Sequence, residues 1–468
     1  MQKKEVNFPI LITIFILGLI LWNLHPPSGL TDDAWHLFIT FLLSITGIIT
    51  SAMPMGAVSF TAICVLVLTH TLTLKEGLAG FSSPIAWLVV LAFFIARGLI
   101  KTNLGQRIAY YLITKFGKNS IGLAYSLIFT EFVLAPMIPS TSARGGGIIY
   151  PIAQSLANEY DKTSNKASKT SAFLIMTCFH TNVVCCALFL TSMAANPLMV
   201  NLASHLGINI SWANWALASI IPGITNLILL PYFVSFLITP DKESNLKIIE
   251  TAKKALSEQG SLKRNEVIML ITFVTMLFMW IFSKSIGIDT TTTALIGFLA
   301  LVMLQVINWN DVVGEKAAWE TLIWYAILLI LSEYLAKYGI DRWIENNIRD
   351  FTEHLNLPIA VIILGIFYFY SHYLFASITA RVTVMYATFL LILTELGLPT
   401  VPTALALAIF SNLSAGLTHY GINSAPIYFS SGYFSTAQWL RIGAIIASLN
   451  LVVWLVVGGI WWKIIGWW

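Results

Sequence analysis

Two short polar stretches carry the chemistry available to this chain. Pro139-Ser-Thr-Ser-Ala-Arg-Gly-Gly-Gly147 and Ala376-Ser-Ile-Thr-Ala-Arg381 each set hydroxyls and one arginine into a sequence that is otherwise oily. They align residue for residue: Ser140 with Ser377, Thr141 with Ile378, Ser142 with Thr379, Ala143 with Ala380 and Arg144 with Arg381. A serine or threonine ahead of a helical run is a preferred N-cap, and the free N–H groups of a first turn, at the positive end of the helix dipole, bind anions. Ser140, Thr141, Ser142, Ser377 and Thr379 add hydroxyl donors, while Gly145, Gly146 and Gly147 let a helix or a ligand come close. A guanidinium near mid-membrane costs about 2.5 kcal/mol or more on insertion scales, so it faces a cavity and a partner. No repeated Asp or Glu accompanies the two tips, which makes an anionic ligand the natural counter-ion of Arg144 and Arg381. The alternatives are a carboxylate farther along, such as Glu131 or Glu395, or snorkelling.

The elements that must position these tips follow from length and composition. Each tip lies between apolar arms of about 15 residues, short of the ~20 that a crossing needs, so each unit reads as a re-entrant hairpin. Two such tips at corresponding places in two halves point to a transporter's binding site. Hydrophobic residues make up 57% of the chain and charged ones 10%, against about 25% charged in soluble domains. With a mean hydropathy of +0.80, this is an all-α polytopic membrane protein. The net charge of +4 comes from basic residues gathered in a few loops, which excludes a nucleic-acid-binding face. Cys64, Cys178, Cys185 and Cys186 all lie in apolar segments without zinc-site spacing and are expected to be buried free thiols. His180, near three of them, has no carboxylate company and is expected to be a satisfied intramembrane histidine; no metal site is expected.

Read in order, Lys3 and Lys4 precede a first span over 8–23 that is retained, with the N-terminus cytoplasmic. Spans follow at 34–50, 57–74 and 83–100. Between Lys101 and Lys118, basic residues alternate with apolar ones at helical spacing, which predicts an amphipathic helix on the cytoplasmic surface. The first hairpin covers 120–158. A long span over 171–205 is expected to unwind around Thr191 to Pro197, since Asn196-Pro197 interrupts the helical ladder, and a sixth span covers 212–238. A hydrophilic cytoplasmic loop at 240–266 separates the halves. Spans at 267–284, 289–307 and 318–335 lead to a second surface helix, Lys337 to Phe351, which lacks a basic excess and is placed outside. A second hairpin over 357–396, a span over 401–432 broken around Thr418 to Pro426, and a last span over 438–463 with a tryptophan-rich interfacial belt complete about eleven crossings and two hairpins. An odd number of crossings separates the hairpins, so the halves form an inverted repeat. In domain terms, 1–118 and 267–352 are scaffold, 119–239 and 353–468 are transport parts with tips at 139–145 and 376–382, and 240–266 connects them.

Pro139-Ser-Thr-Ser-Ala-Arg-Gly-Gly-Gly-Ile-Ile-Tyr-Pro151, Ser377-Ile-Thr-Ala-Arg381, Ser411-Asn-Leu-Ser-Ala-Gly-Leu-Thr-His-Tyr-Gly421 and Ser431-Gly-Tyr433 resemble segments of the divalent anion:sodium symporter family, most closely its exchanger branch. The resemblance implies an elevator-type homodimer in the lipid bilayer that carries C4–C5 dicarboxylates such as malate, succinate, fumarate and 2-oxoglutarate. It also implies that Thr191, Ser192 and Asn196 in one broken span, and Thr418, His419, Gly421 and Asn423 in the other, complete the substrate site. Asn196 and His419 could equally serve to stabilise unwound backbone. The family's central tip asparagine is replaced here by Thr141 and Ile378, and the neutral residue after the tip alanine by Arg144 and Arg381. Fixed charge in place of mobile cations implies sodium-independent antiport with no bound sodium; a sodium-coupled di- or tricarboxylate symporter and a citrate or tartrate/succinate antiporter are the alternatives. A channel would show linear flux instead of counterflow. No phosphate loop, zinc motif or nucleophile elbow supports an enzyme. The absence of a basic, serine-rich leader favours a bacterial plasma membrane over a plastid envelope.

Overall fold

The computed structural model of the chain describes residues 6–164, 168–241, 246–340, 342–343, 357–375 and 377–467. Every regular element among the described residues is helical, and both halves contain apolar helices, a hairpin and a broken span. The first half has α1 (Phe8–Trp22), α2 (Asp32–Ile49), α3 (Met55–Leu68), α4 (Pro84–Thr102) and the surface helix α5 (Leu104–Phe116). A hairpin comes next, from α6 (Ser120–Leu134) through a π-wound stretch, Ser142–Ile149, into α7 (Tyr150–Ser164). The first broken span is α8 (Lys169–Leu188) with α9 (Ala195–His205), succeeded by α10 (Trp212–Leu237). After α11 (Leu246–Gln259), the second half has α12 (Arg264–Ile281), α13 (Thr290–Met303), α14 (Lys316–Lys337) and a hairpin of α15 (Leu357–Tyr370) and α16 (Ile378–Glu395). It ends in the second broken span, α17 (Thr400–Ser414) with α18 (Ala425–Phe429), and in α19 (Thr436–Val453) continuing through a π-turn into α20 (Gly459–Ile464). Eleven helices among the described residues are long and apolar enough to cross a membrane, three of them hairpin arms; α1, α3 and α13 are apolar but shorter.

Contacts divide the chain into two units. The first comprises Met1–Val90, Pro197–Ile210 and Lys316–Leu407. Its centre is α14, which packs on α2, α3 and the turn Ala79–Ser82. Gly80 is needed in that turn, because a Cβ there would lie 2.0 Å from the Ala326 carbonyl oxygen. The outermost helix, α1, buries none of its side chains and is held to α2 by stacking of Trp22 on His36, with ring centroids 3.9 Å apart. The second hairpin belongs to this unit.

The second unit comprises Leu91–Asn196, Ser211–Glu315 and Ala408–Trp468. Its core helix is α8, buried on every side, with Thr177, His180, Thr181 and Asn182 enclosed among its apolar residues. Around it pack α6, α7 and α10. Pro222 lies inside α10 and has no N–H for the Ala218 carbonyl. The indole of Trp462 supplies the missing donor at 2.9 Å, and Trp461 donates to Leu217 at 2.7 Å. Part of the expected interfacial tryptophan belt thus repairs a proline break inside the protein.

Several expectations shift. The hydrophilic stretch over 240–266 contains a helix, α11, with Ile248 and Ala252 buried, packed on the surface helix α5. Arg107 of α5 clasps its end, donating to the Gln259, Gly260 and Ser261 carbonyls and pairing with Glu266 at 2.7 Å. Cys64 is exposed where a buried thiol was expected; α3 turns it outward as an ordinary apolar side chain. The second surface helix, Lys337 to Phe351, lies largely outside the described residues.

Candidate functional site

The first tip is built by a helix start. After α6, a 3-10 turn, Ala135–Met137, and an extended Ile138 reverse the chain. Ser140 caps the helical turn that opens the second arm: its hydroxyl accepts from the Ala143 N–H at 3.2 Å, and its carbonyl accepts from the Arg144 N–H at 2.9 Å. Ser142 reaches back to Ser140, oxygen to oxygen at 3.1 Å, and Thr141 is buried. Gly145 and Gly146 permit close packing, since a Cβ would lie 2.7 Å from Asn182 Nδ2 and 2.3 Å from Ile427 Cδ1 respectively; at Gly147 it would meet the Ser142 carbonyl oxygen at an ordinary 3.8 Å.

Arg144 is fully buried, and its charge is met within the protein. Nε donates to Glu131 Oε1 at 2.6 Å, Nη1 to the carbonyls of Ile138 and Ser192 at 2.6 Å each, and Nη2 to Cys186 Sγ at 3.3 Å. Glu131 is therefore the counter-ion, where the tip sequence made a ligand the first choice. The reason is local: the reversal at 135–138 carries the guanidinium back across the end of α6, beside the one acid that arm holds. Glu131 Oε2 remains without a partner in this fully buried setting.

The first broken span meets the same cluster. The break covers 189–194, earlier than Pro197, which occupies the first turn of α9 where its missing N–H costs nothing. The Cys186 and Phe189 carbonyls left by the end of α8 accept from Ser192 Oγ, at 2.7 and 2.6 Å, and from Asn196 Nδ2, at 2.8 and 3.0 Å. Asn196 thus stabilises unwound backbone, and its own oxygen accepts from Asn412 at 2.9 Å. Thr191 donates to the Pro136 carbonyl at 2.9 Å.

The second broken span unwinds over 415–424. Thr418 is buried with its hydroxyl unpartnered, His419 packs on Phe429 with centroids 4.6 Å apart and Nδ1 unpartnered, Gly421 is buried, and Asn423 is exposed. Beneath it lies His180, fully buried with neither ring nitrogen hydrogen-bonded, so the expected satisfied histidine is not found. Its ring fills the space that a side chain at Gly416 would need, 3.0 Å from that Cβ position. Tyr433 donates to Asp161 Oδ2 at 2.6 Å, and burial together with that carboxylate pushes its phenol up to about 12.

The second tip, in the other unit, repeats the plan. Ser377 caps α16, accepting from the Ala380 N–H at 3.5 Å, and its carbonyl accepts from the Arg381 N–H at 3.1 Å. Arg381 is fully buried, lies over the Tyr368 ring at 4.4 Å, and donates to the Tyr368 carbonyl and, at 3.2 Å, to Ser371 Oγ. Ile378 is buried and apolar, and Thr379 is partly exposed. Ser140, Thr141, Ser142, Arg144, Ser192, Asn196, Thr418, His419, Gly421 and Asn423 thus share one unit, while Ser377, Ile378, Thr379 and Arg381 lie in the other.

Sequence reasoning passed over Asn182, Asn412, Ser424 and Tyr428. Asn182 donates to Glu131 Oε1 at 2.6 Å and accepts from Ser424 Oγ at 2.8 Å; Tyr428 donates to the Gly145 carbonyl at 3.0 Å. Asn412 lay in the segment Ser411 to Gly421 and Ser424 in the expected break, and for Asn182 and Tyr428 the one signal was polarity inside apolar segments, which in a membrane protein marks functional candidates by default.

Known proteins share both the sequence and the fold. The family described as the sodium:sulfate symporter transmembrane region matches residues 4–468. YflS of Bacillus subtilis, provisionally named a malate transporter, is 43% identical over 470 residues, covering 100% of this chain and 98% of that protein. The chloroplast Dicarboxylate transporter 1 of Arabidopsis thaliana is 42% identical over 468 residues, covering 98% and 83%. Among solved structures, the Alcanivorax borkumensis YdaH transporter shares the fold with a TM-score of 0.57 over 93% of this chain and 99% of that one, at 11% identity.

Proposed function

The chain belongs to the sodium:sulfate symporter transmembrane family, and from that premise we propose that it exchanges C4–C5 dicarboxylates across a bacterial plasma membrane without sodium. The observation that carries the reading is the repeated tip: a serine-capped helix start, present once in each unit, whose first-turn N–H groups suit a carboxylate. The names of the relatives in Bacillus subtilis and Arabidopsis thaliana support malate and other dicarboxylates as the substrate class. Elevator motion of a homodimer is part of the same proposal.

The Glu131 pair removes the charge argument at the first tip, where the sequence alone has Arg144 neutralised by substrate, so exchange rests there on the polar groups that substrate satisfies. Arg144 and Glu131 together add no net charge to the first tip, and both guanidinium groups are covalently fixed. A charge that cannot leave with the substrate cannot be co-transported, so the substrate is the carrier's mobile charge. Returning empty then means burying polar groups that the substrate had satisfied, at a cost of several kcal/mol. Return loaded is the easier path.

The test is counterflow in proteoliposomes. Uptake of labelled malate should require a dicarboxylate inside and be indifferent to sodium. The family's description favours a second reading, sodium-coupled anion symport; robust sodium-driven uptake into empty vesicles would establish it and sink exchange. Unlabelled succinate, fumarate, 2-oxoglutarate, citrate and tartrate as competitors would rank the substrates.

A further inference from the structure

Asn182 stands inside α8, fully buried, with both ends of its amide in use. Nδ2 donates to Glu131 Oε1 at 2.6 Å, the oxygen that also takes Arg144 Nε at 2.6 Å. At the other end, Oδ1 accepts from Ser424 Oγ at 2.8 Å. The assignment is forced by the partners, because a carboxylate paired to arginine accepts only, and so requires the NH₂ end. Ser424 is the last residue of the unwound segment ahead of α18, and one turn on Tyr428 donates to the Gly145 carbonyl at 3.0 Å. The path therefore closes: first tip, Glu131, Asn182, second broken span, and back to the first tip. All of it lies within one unit.

The residue type suits the position. A primary amide donates at one end and accepts at the other while adding no charge. A carboxylate here would set an anion against Glu131, and an apolar side chain would take one of two donors from Glu131 and leave the Ser424 hydroxyl without its acceptor in a buried setting. Gly145 completes the fit, since any side chain there would collide with the Asn182 amide.

We propose that Asn182 is a positioning residue that makes the first tip and the second broken span respond to substrate as one body. Through Glu131 it fixes where Arg144 points; through Ser424 it fixes where the unwound segment ends. The proposal rests on the transport function above, and the experiment separates the two. Cys186 is a built-in reporter, because its sulfur accepts from Arg144 Nη2 and is fully buried while the tip is in place.

The protein retaining Cys186, with Cys64, Cys178 and Cys185 changed to alanine, is reconstituted, and two quantities are read: malate counterflow kinetics and the rate of Cys186 alkylation by N-ethylmaleimide. Asn182→Ala and Ser424→Ala should each raise KM about tenfold with Vmax nearly unchanged, and each should speed alkylation about tenfold. The double variant should be no worse than the more severe single one, since both cut the same path. Asn182→Asp combined with Glu131→Gln exchanges amide and carboxylate, keeps the cluster's charge, and should return alkylation to within about threefold of the parent. Ser424→Ala removes a single oxygen, so it decides the matter even where Asn182→Ala does not fold. Parent-like KM and alkylation in Ser424→Ala, or single effects that add in the double variant, would overturn the proposal. If the parent moves no malate while alkylation responds as stated, the transport reading fails and the positioning role stands.

Discussion

A buried ion pair has to be kept whole, and Arg144 with Glu131 is such a pair, both side chains fully enclosed. Removing one partner strands a charge in the interior, which costs about 3–5 kcal/mol, whereas replacing both by apolar groups of similar volume is often near neutral for stability. Glu131→Gln should therefore lower the unfolding temperature in detergent much more than the double change Glu131→Leu with Arg144→Met. A double variant as unstable as the single one would refute the pairing as a determinant of stability. The sequence exposed the arginine and the acid, but made a ligand, not Glu131, the first choice of counter-ion. Helical periodicity places residues around one helix, and the decision was made by a 3-10 turn and an extended residue between two helices, where no period operates. His180 escaped for a related reason: its unbonded ring is set by Gly416, far away in sequence.

Among the elements, helix starts were legible and helix interruptions less so. Ser140 and Ser377 cap where hydroxyls ahead of apolar runs said they would, because a cap is a local contract between one side chain and the N–H groups two or three residues on. The first break was displaced toward the N-terminus of Pro197, since proline tolerates the opening turn of a helix and the true interruption is held by Ser192 and Asn196 reaching back to carbonyls. α11 went unread because its charged residues outweighed the two apolar positions that dock it on α5. In α10, Pro222 and Trp462 form a donor replacement that invites a direct check. Trp462→Phe should cost about 1–3 kcal/mol by orphaning the Ala218 carbonyl. With Pro222→Ala, a backbone N–H becomes available and the same change should cost clearly less, as judged by thermal unfolding. Equal costs in the two backgrounds would mean that the indole contributes by packing alone.

For the whole molecule, class and repeat were readable because they are written many times over: in the apolar runs, and in two tips that match at four of five aligned positions in residue type or hydroxyl chemistry. The division into units was not. The second hairpin groups with α14, and the first hairpin with Ala408–Trp468 at the far end of the chain, an arrangement that depends on long-range packing. Coupling within the second unit is correspondingly dense, with tip, core helix and unwound span joined by side-chain hydrogen bonds of 2.6 to 3.0 Å.

The clasp that Arg107 makes has an outcome of its own. It grips three carbonyls and a carboxylate at and just beyond the end of α11, so the segment between the repeats is stapled to the first half before the second half begins. Covalent continuity ahead of Leu246 is then dispensable for assembly. Expressed as two polypeptides divided at that point, the fragments should find each other in the membrane and co-purify, and Arg107→Ala should lower the yield of the pair without abolishing it, since Asn182–Ser424 and Gly145–Tyr428 also join them.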